Sequence, residues 1–206
     1  YYIIIYMKPS VHFLLQVSFF IIILIYLYNK FDCDETLIMS DTNNPRIDER
    51  PIWLCPKKTK ISRLTHIYNQ EHKEQSMGIF DKFSVTHLTH GFIFFWIFYK
   101  LNNNKKTMTI IYLSIFAEIL WELLENTPYV IYKYRNAQVS MYRNYIGDSI
   151  ANMVSDVLFT IFGLIIVWYL PPKSWLPIII VSEILTYLIV NDNITKNMYH
   201  LFLKYL

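Results

Sequence analysis

Small residues and charge are both scarce in this chain. It has three Ala and four Gly among 206 residues, and only 17% of its residues are Asp, Glu, Lys or Arg. A soluble domain carries about 25% charged residues. The shortfall, together with 54% hydrophobic content and a mean hydropathy of +0.26, argues against a soluble enzyme or a disordered chain. Cysteine is limited to Cys33 and Cys55 in one polar segment, too few for a secreted disulfide scaffold and without metal-type spacing. They read as two unrelated thiols, with a pair as the alternative. A net charge of +3 is too slight to point to nucleic acid. His-Glu-x-x-His, Glu-x-x-His, a nucleophile elbow and a phosphate loop are also missing.

The scarcity of Ala and Gly has no physical reason in a helical membrane protein, where small residues let helices approach one another. Ile, Tyr, Phe, Asn and Lys together make 90 of the 206 residues, and their codons are wholly or largely A and T. The bias therefore reads as genomic, from a very AT-rich genome. A mitochondrial gene is the preferred source, and an AT-rich nuclear or bacterial genome the alternative. The sequence starts at Tyr1 and not at Met, which reads as truncation, processing or a non-standard start.

What is present is a series of apolar blocks of about 17–21 residues, long enough to cross a hydrocarbon core of roughly 30 Å. The expected fold is all-α: an integral membrane helical bundle of about five transmembrane helices with a loop-rich extramembrane segment. Residues 1–29 form an N-terminal anchor whose span is Val11 to Tyr28. Residues 30–80 form the polar segment, which Pro45, Pro51 and Pro56 keep from long helices. Residues 81–190 hold four further spans: Phe83 to about Tyr99, Thr107 to about Asn126, Gly147 to Leu170, and about Ser174 to Val190. Residues 191–206 form a tail along the interface through Met198, Leu201, Phe202 and Leu206. Lys and Arg are slightly more abundant on the face carrying residues 30–82, 127–146 and the tail, which leans that face toward the cytoplasm or matrix.

The informative feature is the polar content of the spans. His87 and His90 are three residues apart, and Glu118, Glu122 and Glu125 follow at i, i+4 and i+7. Asp148, Asn152 and Asp156 follow at i, i+4 and i+8. Each set occupies one helical face. An ionised side chain at mid-membrane costs about 2.5–3.5 kcal/mol on insertion scales, so these three faces are expected to meet inside the bundle. Such a seam reads first as a structural clamp, His and Lys82 against Glu and Asp. The second reading is a metal site, because His and carboxylate ligands on facing helices make dinuclear centres in other bundles. The third is a proton path. Asp81 and Ser84 suit the start of the second span and Asp148 that of the fourth. The aromatic run Phe92 to Tyr99 reads as lipid-facing bulk, and Lys133, Arg135 and Arg143 as contacts to anionic headgroups, cardiolipin among them.

The strings Asp81-Lys-Phe-Ser-Val-Thr-His87-Leu-Thr-His90-Gly91, Trp121-Glu-Leu-Leu-Glu125-Asn-Thr-Pro128, Tyr134-Arg135, Tyr145-Ile-Gly147-Asp148-Ser149, Asn152 with Ser155-Asp156, and Asp192-Asn193 resemble an uncharacterised multi-span membrane family. It is catalogued as domain of unknown function 2585 and found mainly in alphaproteobacteria. The resemblance covers about residues 76–197. More loosely, the order of Asp-Lys, His, Glu and Asp-x-x-x-Asn is similar to that of VanZ-like membrane proteins. The family pattern carries a further His before the Asp, where this chain has Met77-Gly78. It also carries an Arg before the final Asp-Asn, where this chain has Asn191. The resemblance implies architecture and ancestry and brings no activity.

Ancestry and base composition together lead to one functional expectation. It is a non-catalytic integral subunit of a mitochondrial inner-membrane oxidative phosphorylation complex, bound to other subunits and to phospholipid, with no further cofactor. A membrane-embedded metal-dependent enzyme using the His, Glu and Asp seam is the first alternative, with the bacterial inner membrane as the alternative location. A proton or ion transporter is the second.

Overall fold

The computed structural model describes residues 80–136 and 147–203, with Ser76, Tyr145 and six positions of the first apolar run: Val11, Leu15, Ser18, Phe19, Ile22 and Ile23. The expected anchor as a whole, nearly all of the 30–80 segment, Cys33, Cys55, Arg143 and Leu206 lie outside the described residues. Within them the chain is all-helical, in the order α1 Ser84–Leu101, α2 Met108–Glu125, α3 Pro128–Asn136, α4 Ile150–Tyr169, α5 Pro172–Val190 and α6 Ile194–Met198. A π-helical turn, Tyr199–Leu203, follows.

Local chemistry explains the boundaries. The Asp81 carboxylate accepts the N–H groups of Phe83 and Ser84 at 2.7 and 3.0 Å, holding the start of α1. The α1–α2 hairpin turns through Asn103 and Asn104 at φ 52° and 59°, a left-handed conformation that Asn tolerates better than most residues. Pro128 opens α3, where its missing N–H has no intrahelical partner to lose. Ser149 caps α4, its hydroxyl accepting from the Asn152 N–H at 3.1 Å. Pro171 and Pro172 end α4 and start α5, which stops at Asn191 in the left-handed region, φ 59°.

α1 lies at the centre, packed on α2, α4 and α5, most extensively on α4. The α1–α4 contact is backbone on backbone. A Cβ placed on Gly91 would lie 2.5 Å from the Thr160 carbonyl oxygen, and one on Gly163 would overlap the carbonyl of Leu88. At one end of the bundle an apolar core gathers Phe92, Phe95, Ile110, Ile115, Leu164, Val167 and Trp175. The Lys106 ammonium closes this end by donating to the Trp168 and Leu170 carbonyls at 2.7 and 3.0 Å. A smaller core at the other end joins α3 to the tail through Val130, Ile131, Tyr134, Tyr145 and Leu201.

The aromatic run Phe92 to Tyr99, expected as lipid-facing bulk, is divided between the core and the outer face, where Ile97 is exposed. Phe92 and Phe95 are buried, and Phe95 meets Trp168 and Trp175 edge to face, because α1 has helices on three sides. Leu201 is buried and Met198 packs with it against α3, while Phe202 is exposed.

Among the described residues two helices, α4 and α5, are long and apolar enough to cross a membrane. α1 and α2 have 18 residues each, but the histidines of one and the glutamates of the other dilute their apolar content. α5 turns Leu176, Ile180, Ile184, Leu188 and Ile189 outward, all about half exposed or more.

Candidate functional site

The polar residues converge where α1, α2 and α4 meet. His87 and His90 lie on the α1 face that packs inward, and Glu118 and Glu122 on the facing side of α2, both fully buried. Asn152 and Asp156 come from α4, at 1% and 2% exposure. Glu118 joins the two imidazoles: its Oε1 is 2.7 Å from His87 Nδ1 and its Oε2 is 2.9 Å from His90 Nδ1. An ionised carboxylate only accepts, so both Nδ1 atoms carry protons directed at Glu118.

That assignment leaves the rest of the cluster underserved. Glu122 Oε1 is 3.2 Å from His87 Nδ1, but that proton is held by Glu118. Neither Glu122 oxygen, nor Asp156 Oδ1, has a hydrogen-bond partner among the described residues. Asp156 Oδ2 lies 3.7 Å from His87 Nε2, the other imidazole nitrogen. One ligand atom each from His87, Glu122 and Asp156 lies within 4.8 Å of the others, and the same holds for His87, His90 and Glu118. Three buried carboxyl groups, Glu118, Glu122 and Asp156, face two imidazoles.

A second polar group sits at the loop end of the bundle. Asp148 accepts from Asn126 Nδ2 at 2.7 Å and from the Tyr145 hydroxyl at 2.8 Å, while its own N–H donates to Asn126 Oδ1 at 2.6 Å. Glu125 accepts from the Tyr134 hydroxyl at 2.8 Å. Burial raises the Asp148 carboxyl to about 6, against the pull of the Asn126 and Tyr145 hydrogen bonds, and burial likewise pushes the Tyr145 hydroxyl well up. Between about pH 4 and 6 the folded chain therefore holds a proton that the unfolded chain has released, so this group makes stability fall as pH rises through that window. Asp148→Asn is expected to flatten the difference in unfolding midpoint between pH 4 and 6, measured by chemical denaturation of the detergent-solubilised protein.

A narrow cavity of about 30 Å³ connects the two groups, with Asp81, His87, His90, Glu125, Asp148 and Asp156 on its wall. It has room for one or two water molecules. Other charged residues lie elsewhere. Lys82 lines the outer groove between α1 and α5 and not the seam. Glu183 holds the tail, accepting from the Ile194 and Thr195 N–H groups at 3.2 and 2.9 Å. Lys133 donates to the Leu201 carbonyl at 3.3 Å. Arg135, expected at headgroups, is turned inward at 4% exposure with Nε donating to the Tyr145 carbonyl at 2.5 Å. α3 packs its basic end against the Tyr145 segment, which removes Arg135 from the surface. Sequence reasoning missed Tyr134, Tyr145 and Asn126 as partners of the acids. Their signal was the spacing of Asn126 beside Glu125 and of Tyr145 three residues before Asp148.

The family described as Protein of unknown function (DUF2585) matches residues 51–204. The chain belongs to this family. DUF2585 relatives include a UPF0314 protein of Sinorhizobium fredii, 37% identical over 71% of this chain and 72% of the relative. Another is a UPF0314 protein of Brucella anthropi, 33% identical over 60% of this chain and 62% of the relative. A third, from Sphingopyxis alaskensis, is 32% identical over 62% of this chain and 66% of its own length. The match to the Brucella protein thus spans less than two thirds of that relative. No solved structure matches. These DUF2585 relatives are bacterial and of unknown function, which overturns the expectation of a mitochondrial oxidative phosphorylation subunit and, with it, the mitochondrial inner membrane. The error came from reading compartment out of base composition: AT-rich codons report a genome, and a bacterial genome can be equally AT-rich. A membrane protein of bacterial type fits both the relatives and the apolar helices.

Proposed function

We propose that this chain is a five-span protein of the bacterial inner membrane that holds a divalent transition-metal ion at His87, Glu122 and Asp156. The carrying observation is the pair of buried carboxylates with unmatched oxygens beside an imidazole whose other nitrogen donates to Glu118. Metal-ligating histidines nearly always donate their second N–H to a carboxylate or carbonyl, which fixes the tautomer that offers the other nitrogen to the metal. A self-sufficient structural clamp would instead leave its acids satisfied, because an unpaired buried charge costs several kcal/mol. One imidazole and two carboxylates suit manganese, iron or zinc. Three protein ligands leave a coordination position for water, the pattern of a catalytic rather than a structural centre.

The membrane reading rests on α4 and α5, on the outward apolar faces of α1 and α2, and on the apolar run Val11 to Tyr28. Acyl chains of phospholipid would cover those faces. The test is elemental analysis of the protein purified in mild detergent from an expressing bacterium. About one equivalent of manganese, iron or zinc per chain is expected, lost in His87→Ala and in the isosteric Glu122→Gln. A wild-type protein carrying less than about a tenth of an equivalent after incubation with each metal would overturn the reading.

A further inference from the structure

Apart from His87 and His90, the titratable carboxyls dominate the cavity wall. Asp81, Glu125, Asp148 and Asp156 all line it, and no Lys or Arg does so among the described residues. These acids also share one end of the bundle. Asp81 precedes α1, Asp148 precedes α4, Glu125 ends α2, and Ile194 and Asn197 beyond α5 complete the rim. From that rim the cavity runs inward to His87 and Asp156. Asp156 is 2% exposed and its Oδ1 accepts no hydrogen bond among the described residues.

We infer that this cavity is the route by which a divalent cation reaches the buried centre from one face of the membrane, with Asp81 and Glu125 as its charged collar. The inference rests on the metal reading above. Size and sign select the occupant. About 30 Å³ holds one or two water molecules or a small, partly hydrated ion. A passage walled by carboxylates raises the local concentration of cations and speeds their arrival, by about 10-fold or more in charged clefts, an effect that salt screens. Anions, including phosphate groups, meet repulsion along its length. Asp148 sets the shape of the route, being fixed by Asn126 and Tyr145. Trp121 lines it, 5.8 Å from His90 between ring centroids, and supplies a reporter.

The test uses the full chain in detergent, stripped of metal by a chelator and mixed rapidly with Co²⁺. Loading of the centre is followed by cobalt ligand-field absorption, and passage by quenching of the fluorescence that Trp121→Phe removes. Asp81→Asn keeps a good helix cap, and Glu125→Gln keeps an acceptor for the Tyr134 hydroxyl, so both variants are expected to fold. Each should slow loading several-fold, and the double variant about 10-fold or more at low salt. The final amplitude should stay at one ion per chain. Raising the salt to about 0.5 M should slow the wild type far more than the double variant. Unchanged rates in the double variant, with normal final loading, would overturn the route and leave the metal site standing. No cobalt bands in the wild type would overturn both.

Discussion

Glu118→Gln is expected to lower metal affinity about 10–100-fold while leaving the fold in place, measured by competition with a chromophoric chelator. The range is that of carboxylates which orient metal-bound histidines. Glu118 is buried, with both oxygens occupied by imidazole protons, 2.7 Å from His87 and 2.9 Å from His90. Glutamine has nearly the same shape but one acceptor and one donor. Whichever imidazole faces the new amide must turn its Nδ1 lone pair toward it and carry its proton on Nε2. For His87 that places a proton on the nitrogen that looks at Asp156, and the lone pair needed by the metal is gone. The same substitution distinguishes a purely structural seam. There, loss of a buried acceptor would lower the melting temperature and would have no metal affinity to alter. An affinity within a factor of two of wild type would count against the orienting role of Glu118.

The second large effect concerns the α1–α4 contact. Gly163→Val is expected to destabilise the folded chain by at least about 3 kcal/mol, the upper range for overpacking a dense interior. The obstacle at Gly163 is the carbonyl of Leu88, and at Gly91 it is the backbone of Thr160 to Leu164. Neither can swing aside as a side chain would. The Thr160 hydroxyl donates to the His87 carbonyl at 2.8 Å across the same contact, so forcing the helices apart also moves His87 from Asp156. Thermal unfolding in detergent should show a midpoint about 10 °C lower, at 2–4 °C per kcal/mol for a chain of this size, or no monodisperse protein at all. A midpoint within about 2 °C of wild type would show that the two helices have room to separate.

These two effects mark where the sequence was legible. Apolar blocks and prolines placed α1, α2, α4 and α5 within about three residues of their observed ends, because period and helix breakers are local signals. The i, i+4 spacing of Glu118 and Glu122, with His87 and His90 three apart, put the polar residues on single faces, and the structure brings those faces together. The details that decide chemistry were not local. Which carboxylate is satisfied and which is not depends on the crossing of α1 and α2, and pattern alone treats Glu118, Glu122 and Glu125 alike. Glu125 turns toward Tyr134 and the cavity. Arg135 reads from sequence as a surface cation because its helix, Pro128–Asn136, lies between two apolar blocks and nothing local marks its packing. The glycines were a missed signal. In a chain with so few, Gly91 and Gly163 on two neighbouring spans mark the place where backbones touch.

The most direct measurement is anomalous X-ray diffraction at the absorption edge of the bound metal, from crystals of the full chain grown in lipidic phase. One peak is predicted within about 2.5 Å of His87 Nε2 and of a carboxylate oxygen from each of Glu122 and Asp156, with Glu118 set back from it. A peak only at the surface, or Glu122 and Asp156 bound to protein donors and no peak between them, would contradict a metal centre in this bundle.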